Sequence, residues 1–238
     1  MQINIVKSNE FSIKSAQLVA EEIKKLQATL ERNVNIVLAT GNTMRGFLDE
    51  LSKIEDIDWS KMNAFHLDEY KGLDKTSPYS FAYFLNENLF SKITIPQDNI
   101  FYLSENKDNY LNLLAQKGGA DIVMLGVGID GHLAFNEPPK YSNFDSHLRE
   151  VELTQETIDS NMCDYPDIAN NPFAYTMGMA DIMSGKKIFF LANKAKKADI
   201  VQKALKGPVT EDVPASILQR HNNVEVVLDE EAGAGIKI

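Results

Sequence analysis

The chain is short of cysteine, of positive charge and of long apolar runs, and each shortage excludes something. A single cysteine, Cys163, in 238 residues rules out an internal disulfide framework and suits a reducing compartment. Lys plus Arg number 24 against 34 Asp plus Glu, a formal charge of −10, whereas a nucleic-acid or acidic-membrane surface needs the opposite balance. No run approaches the roughly 18 apolar residues of a membrane span. The start, Met1-Gln-Ile-Asn-Ile-Val-Lys7, lacks the basic lead into an apolar stretch that marks a secretory signal. The expectation is a cytoplasmic protein with no nucleic-acid and no membrane partner. Internal repeats and low-complexity segments are also missing, and a chain this long buries roughly 70–75% of its unfolded surface in one core. One α/β domain over residues 1–238 is the economical reading.

What is there centres on Asp121-Ile-Val-Met-Leu-Gly-Val-Gly-Ile-Asp130-Gly-His132-Leu-Ala-Phe-Asn136-Glu137-Pro-Pro139. An apolar run bounded by glycine reads as a strand buried on both faces of a parallel sheet, which delivers functional groups at its C-terminal end. Gly126, Gly128 and Gly131 satisfy G-x-G-x-x-G, with Glu150 roughly 20 residues on, where a ribose-binding acid belongs. That fingerprint also needs a helix opening at the third glycine, and Pro138 and Pro139 leave no room for one. The glycines are better read as letting the backbone turn sharply and approach a small ligand closely. Asp130, His132 and Glu137 set two carboxylates around an imidazole, and a carboxylate that fixes a histidine tautomer makes a general base working near neutral pH.

Other stretches fit the same frame. Ile3 to Val6 reads as a short strand, and Ile13, Ala16, Ala20, Ile23, Leu26 and Leu30 recur at helical spacing as core positions. Val34 to Ala39 reads as a strand that runs through Thr40-Gly41-Asn42-Thr43 into a helical pattern at Phe47, Leu48, Leu51 and Ile54. A strand, a short loop and a helix start make an anion site; the plainer reading is a turn with Thr43 as helix cap. Met62 to Leu67 is a third strand ending in Asp68-Glu69-Tyr70, and on an extended path only one of the two carboxylates faces a cleft. His66 reads as a packed strand residue. Ser77 and Pro78 look like the cap and first residue of a helix, Ile100 to Leu103 like a short strand, and Tyr110 to Gln116 like a helix stopped by Gly118-Gly119. Residues 140–172 are weakly patterned, with a short helix only from Gln155 to Met162, as lids and binding loops often are. Lys187 to Ala192 is another strand, followed by Lys194, Lys196 and Lys197 in a first helical turn, where cations oppose the helix dipole. Val224 to Leu228 is the last strand.

Leu125-Gly-Val-Gly-Ile-Asp-Gly-His-Leu-Ala-Phe-Asn-Glu-Pro138 resembles the signature of the glucosamine-6-phosphate deaminase (isomerizing) family. The related 6-phosphogluconolactonases share Gly-x-Asp-Gly-His but not Phe-Asn-Glu-Pro. Gly207-Pro-Val-Thr-Glu-Asp-Val-Pro-Ala-Ser-Ile-Leu-Gln-Arg-His221 carries the same likeness. The resemblance implies a doubly wound, mostly parallel sheet with helices on both faces, and an amino-sugar 6-phosphate as small-molecule substrate. It makes Asp68 the base that moves a proton between C2 and C1, with Glu69 in a supporting role. His132 opens the sugar ring, with Asp130 and Glu137 orienting it. Thr40, Gly41, Asn42, Thr43 and Lys197 hold the phosphate, and no cofactor or metal is implied. A lid is expected over about 140–183. Two positions depart from the pattern: Met44 replaces a proline, and Cys163 stands where a phosphate-binding arginine is usual, with Arg45 a possible substitute. Galactosamine-6-phosphate isomerases are similar around Lys117-Gly-Gly-Ala-Asp121, which keeps that epimer open beside 6-phosphogluconolactone hydrolysis and a phosphosugar-sensing role. Allosteric relatives have long C-terminal extensions, so a monomer or small homo-oligomer is expected.

Overall fold

The apolar runs become the strands of a parallel sheet in a computed structural model that describes residues 1–162 and 165–237. Six strands, β1 (Gln2–Val6), β2 (Val34–Leu38), β3 (Met62–His66), β5 (Ile122–Leu125), β8 (Lys187–Ala192) and β9 (Val224–Asp229), pair in the order β1-β9-β8-β5-β2-β3. Every pairing is parallel. Every residue of β2, β3, β5 and β9 is buried, as the lack of alternation in their sequences requires when helices cover both faces. The covering helices are α1 (Phe11–Thr29), α2 (Asn42–Ser52), α3 (Phe81–Asn88), α4 (Leu103–Asn106), α5 (Tyr110–Gln116), α7 (Met179–Met183) and α8 (Ala198–Lys206), while α6 (Gln155–Asn161) packs through Ile158 into a second core. In α8 the buried residues are Ile200, Val201, Ala204 and Leu205, spaced to make one apolar stripe.

The strand order places the functional cleft. From β2 the chain steps outward to β3 and then returns past β2 to β5, so β2 pairs with β3 on one side and β5 on the other. The loops leaving β2 and β5 diverge at that reversal, where open α/β sheets bind their ligands. The C-terminal ends of β3, β2, β5 and β8 therefore stand side by side, and these ends carry Asp68, the Thr40–Thr43 loop, Asp130 with His132, and Lys194 to Lys197.

Where the patterning was weak, the chain builds a second, antiparallel sheet of β4 (Asp68–Tyr70), β7 (Phe173–Thr176) and β6 (Arg149–Glu152). Its own core joins Tyr70, Phe135, Val151, Leu153, Ile158, Tyr165, Ile168 and Ala174. The 140–183 stretch is thus more ordered than its sequence suggests. Only Val151 of β6 is buried, so that strand writes no apolar pattern into the sequence. Three local expectations fail. Ile100 to Leu103 is not a strand; Ile100 makes a single bridge to Ala64 before α4 begins at Leu103. Ser77 and Pro78 form a turn ahead of α3, whose cap is Ser80, accepting from the Tyr83 amide. Ile13 is 46% exposed, at the start of α1 and off its buried stripe of Phe11, Ser15, Ala16, Val19, Ala20 and Ile23.

Candidate active site

The four strand ends enclose a cavity of about 600 Å³. Its floor at the end of β2 is the Thr40-Gly41-Asn42-Thr43 loop, turned by Gly41 at φ +100°, a conformation a side chain would strain. Gly41, not Thr43, is the residue that precedes α2, and no side chain caps the helix; the Met44 and Arg45 amides donate to the Gly41 carbonyl, while those of Asn42 and Thr43 have no partner among the described residues. Thr43 instead donates its hydroxyl to Asn193 Oδ1 at 2.9 Å, which ties this loop to the end of β8. Met44, fully buried, fills the space beside Gly126.

Asp68 lies at the point where the chain leaves the parallel sheet for β4. It faces the cavity yet is only 7% exposed. Burial, and then the neighbouring charge of Glu69, push its pKa up to about 8, which makes it a strong base once ionised. Glu69 points the other way, as the alternation of an extended chain requires. It is fully buried and accepts the amides of Tyr70, Phe81 and Ala82 at 2.9 Å each. Burial raises its pKa to about 7 although those amides pull it down. Its supporting role is therefore to dock α3 against the strand that carries Asp68. His66 is a packed strand residue, with Nε2 accepting the Leu103 amide at 2.8 Å, and burial holds its pKa down at about 4.

Across the cavity Asp130 Oδ1 sits 2.7 Å from His132 Nδ1 and also accepts the His132 amide at 3.1 Å. The carboxylate and Nδ1 are close but not aligned for a linear hydrogen bond. Burial works to raise the Asp130 pKa, but the contacts to His132 outweigh it and hold the pKa below the usual carboxylate range. The pair packs over Gly128, where an added Cβ would stand 2.3 Å from the His132 ring and 2.6 Å from Asp130 Oδ1. Glycine is needed there because the imidazole occupies the place of a side chain.

Glu137 departs from expectation. It is buried away from the cavity, accepts the Thr157 hydroxyl and, at 3.3 Å, the Thr154 amide, and makes no hydrogen bond to His132 among the described residues. Its carboxylate holds the start of α6, whose Thr154, Thr157, Ser160 and Asn161 form one wall of the cavity. These wall residues, like Asn193, carried no readable signal because distant segments bring them in. Cys163 lies outside the described residues.

The cations gather on the β8 side. Lys197 Nζ donates to Val127 O at 2.6 Å, and burial, then Lys196, bring its pKa down to about 8 against the pull of Asp130. Arg45, in the first turn of α2, lines the cavity with its guanidinium 5.0 Å from the Phe84 ring centre. Among the described residues no three His, Cys, Asp or Glu side chains are grouped to hold a metal ion.

A family model described as glucosamine-6-phosphate isomerases/6-phosphogluconolactonase matches residues 7–228. The chain belongs to this glucosamine-6-phosphate isomerase/6-phosphogluconolactonase family. Glucosamine-6-phosphate deaminase from Lachnoclostridium phytofermentans is 38% identical over 94% of this chain and 97% of its own length. Glucosamine-6-phosphate deaminase 2 of Bacillus subtilis is 37% identical over 94% and 92%. A solved structure described as a monomeric glucosamine-6-phosphate deaminase superposes with a TM-score of 0.90 at 31% identity, covering 99% of this chain and all of its own. A 6-phosphogluconolactonase from Trypanosoma brucei, at 20% identity and a TM-score of 0.80, shares the fold of this family.

Proposed function

We propose that the chain is an isomerising deaminase that converts glucosamine 6-phosphate and water into fructose 6-phosphate and ammonia. The observation that carries this reading is Asp68: a buried carboxylate with its pKa raised to about 8, on the wall of a cavity shared with the Asp130–His132 pair. Hydrolysis of a lactone needs no base at C2, and a sensing domain needs no base at all. The deaminase relatives of similar length support the same reading.

The substrate phosphate is held by the open amides of the Thr40–Thr43 loop and by Lys197. His132, oriented by Asp130, moves the proton between the C1 hydroxyl and the ring oxygen as the pyranose opens. Asp68 then removes the C2 proton, made acidic by the C1 aldehyde, leaving a C1–C2 double bond with a hydroxyl on C1 and the amine on C2. Asp68 returns that proton to C1, and the C2 imine that results is hydrolysed to the ketone with release of ammonia. A positioned general base accounts for about 10²–10⁴ of the rate. Residues 140–183 serve as the lid, with α6 as its inner face.

The test is ammonia release by the purified protein from glucosamine 6-phosphate and, separately, from galactosamine 6-phosphate. Release is expected from the gluco epimer, falling by a factor of about 10³ in Asp68→Asn. Release from the galacto epimer alone would move the assignment to that sugar. No ammonia from either, with 6-phosphogluconolactone hydrolysis surviving Asp68→Asn, would overturn it.

A further inference from the structure

Lys194 is one of two non-glycine residues with positive φ among those described, at φ +76° and ψ +146°. That region is costly for any residue with a Cβ, and such strain persists at sites where the surroundings hold the residue for a purpose. The surroundings here are specific. Asp229 Oδ2 accepts the Lys194 amide at 3.0 Å, the Lys194 carbonyl accepts the Lys197 amide at 3.0 Å, and Glu231 Oε2 accepts the following amide of Ala195 at 3.1 Å. Both nearby carboxylates thus accept backbone amides of this turn.

Lys194 lines both the cavity and the adjoining depression beside Asp229 and Glu231, yet among the described residues no carboxylate lies within 4.0 Å of its ammonium. The cavity's Arg45, Lys196 and Lys197 likewise have no carboxylate within that distance, in a chain whose acidic residues outnumber the basic ones by 34 to 24. Cations without a carboxylate partner, gathered around one cavity of an acidic protein, make an anion trap. Lys194 also directly follows Asn193, which the Thr43 hydroxyl ties to the anion loop at the end of β2. Lys197 by contrast already spends one donor on the Val127 carbonyl.

We infer that Lys194 is a substrate-positioning residue, held in a strained turn so that its ammonium, together with Arg45 of α2, takes the phosphate of the sugar phosphate. The inference rests on the proposed function for the identity of the sugar but not for the anion itself. The strained turn at Lys194 follows β8 and precedes Lys197 by three residues. Arg45 lines the same cavity from the first turn of α2. Cations from two elements grip a dianion more strongly than one lysine can, and supply the charge that Cys163 does not.

Two variants separate charge from strain: Lys194→Ala keeps the strain and loses the cation, whereas Lys194→Gly loses both. Affinity for inorganic phosphate, measured by calorimetry with no turnover, is expected to weaken about tenfold in both. KM for glucosamine 6-phosphate should rise by a similar factor with kcat changed less than twofold. Thermal stability should separate the pair, with the glycine variant melting higher than the alanine variant. Arg45→Met should weaken phosphate binding as well, and more than additively when combined with Lys194→Ala. Unchanged phosphate affinity in both Lys194 variants would overturn the inference, even in an enzyme that releases ammonia. Weakened phosphate affinity in a protein that fails to release ammonia would uphold it while removing the proposed reaction.

Discussion

At the scale of single residues, two side chains with displaced pKa values set how the site responds to pH. Asp68 works as a base only when ionised, and burial has raised its pKa to about 8, so kcat/KM should climb as pH rises toward that value. Lys197 grips phosphate best when charged, and burial with Lys196 has lowered its pKa to about 8, so the grip should weaken above it. The two opposed ionisations predict a narrow bell centred near pH 8 for kcat/KM, with macroscopic limbs that belong to the pair. Lys197→Arg should keep the acid limb and lose the alkaline one, since a guanidinium stays charged there. An alkaline limb unchanged in that variant would show that another group titrates. Position at the end of an apolar run pointed to Asp130 and His132, whereas choosing Asp68 over Glu69, and Lys197 among three lysines, took the family resemblance; the structure brings all four to one cavity. It misdirected Glu137, because a carboxylate a few positions from a histidine can point to either side of the chain. This one points to α6.

At the scale of elements, what was legible is what is periodic. Continuous apolar runs gave the six parallel strands and the helical stripes between them. The small antiparallel sheet stayed hidden because β6 buries only Val151, β7 only Ala174 and Thr176, and the three buried residues of β4 include the charged Asp68 and Glu69. The start of α3 was misread for a different reason: part of its cap is tertiary, with Glu69 on β4 reaching the amides of Phe81 and Ala82. Asp121 is a comparable tertiary fixture at the other end of the sheet. It is 1% exposed and sits just before β5. It takes both Arg32 Nη1 and Nη2 at 2.7 Å, Lys186 Nζ at 2.8 Å and the Asn35 amide at 2.9 Å, joining the entries to β2, β5 and β8. Burial opposes its ionisation, but Arg32, the Asn35 amide and Lys186 together hold its pKa below the usual value. A folded pKa below the unfolded one means the contribution is present above about pH 4 and is lost as pH falls through the folded value. Asp121→Ala should cost about 3 kcal/mol at pH 7 by stranding the cations. In a chain of this length that lowers Tm by roughly 6–12 °C. Calorimetry at pH 7 and pH 3 should show the gap between variant and wild type narrowing in acid. Well below the variant's Tm kcat/KM should be unchanged, because these contacts lie at the strands' N-terminal ends.

At the scale of the whole molecule, the exposed apolar surface bears on assembly. Among the described residues the large exposed apolar side chains are Met1, Ile13, Tyr79, Ile129 and Met162. Tyr79 and Ile129 line the cavity, and Met162 follows α6, which forms its wall. These three bear on the site, leaving Met1 and Ile13 elsewhere. An obligate interface buries roughly 2,000 Å² or more with an apolar centre, and two isolated side chains do not make one. The expected species in solution is therefore a monomer of 26.7 kDa. With one candidate active site among the described residues of each chain and no second copy to couple to, velocity should rise hyperbolically with sugar phosphate and be unaltered by N-acetylglucosamine 6-phosphate below inhibitory concentration. Sedimentation velocity at micromolar protein, run beside the rate curve, tests both halves. A hexamer with sigmoidal kinetics would mean that Met1, Ile13 or the cavity rim belongs to an interface; a monomer with sigmoidal kinetics would trace the cooperativity to slow lid motion within one chain.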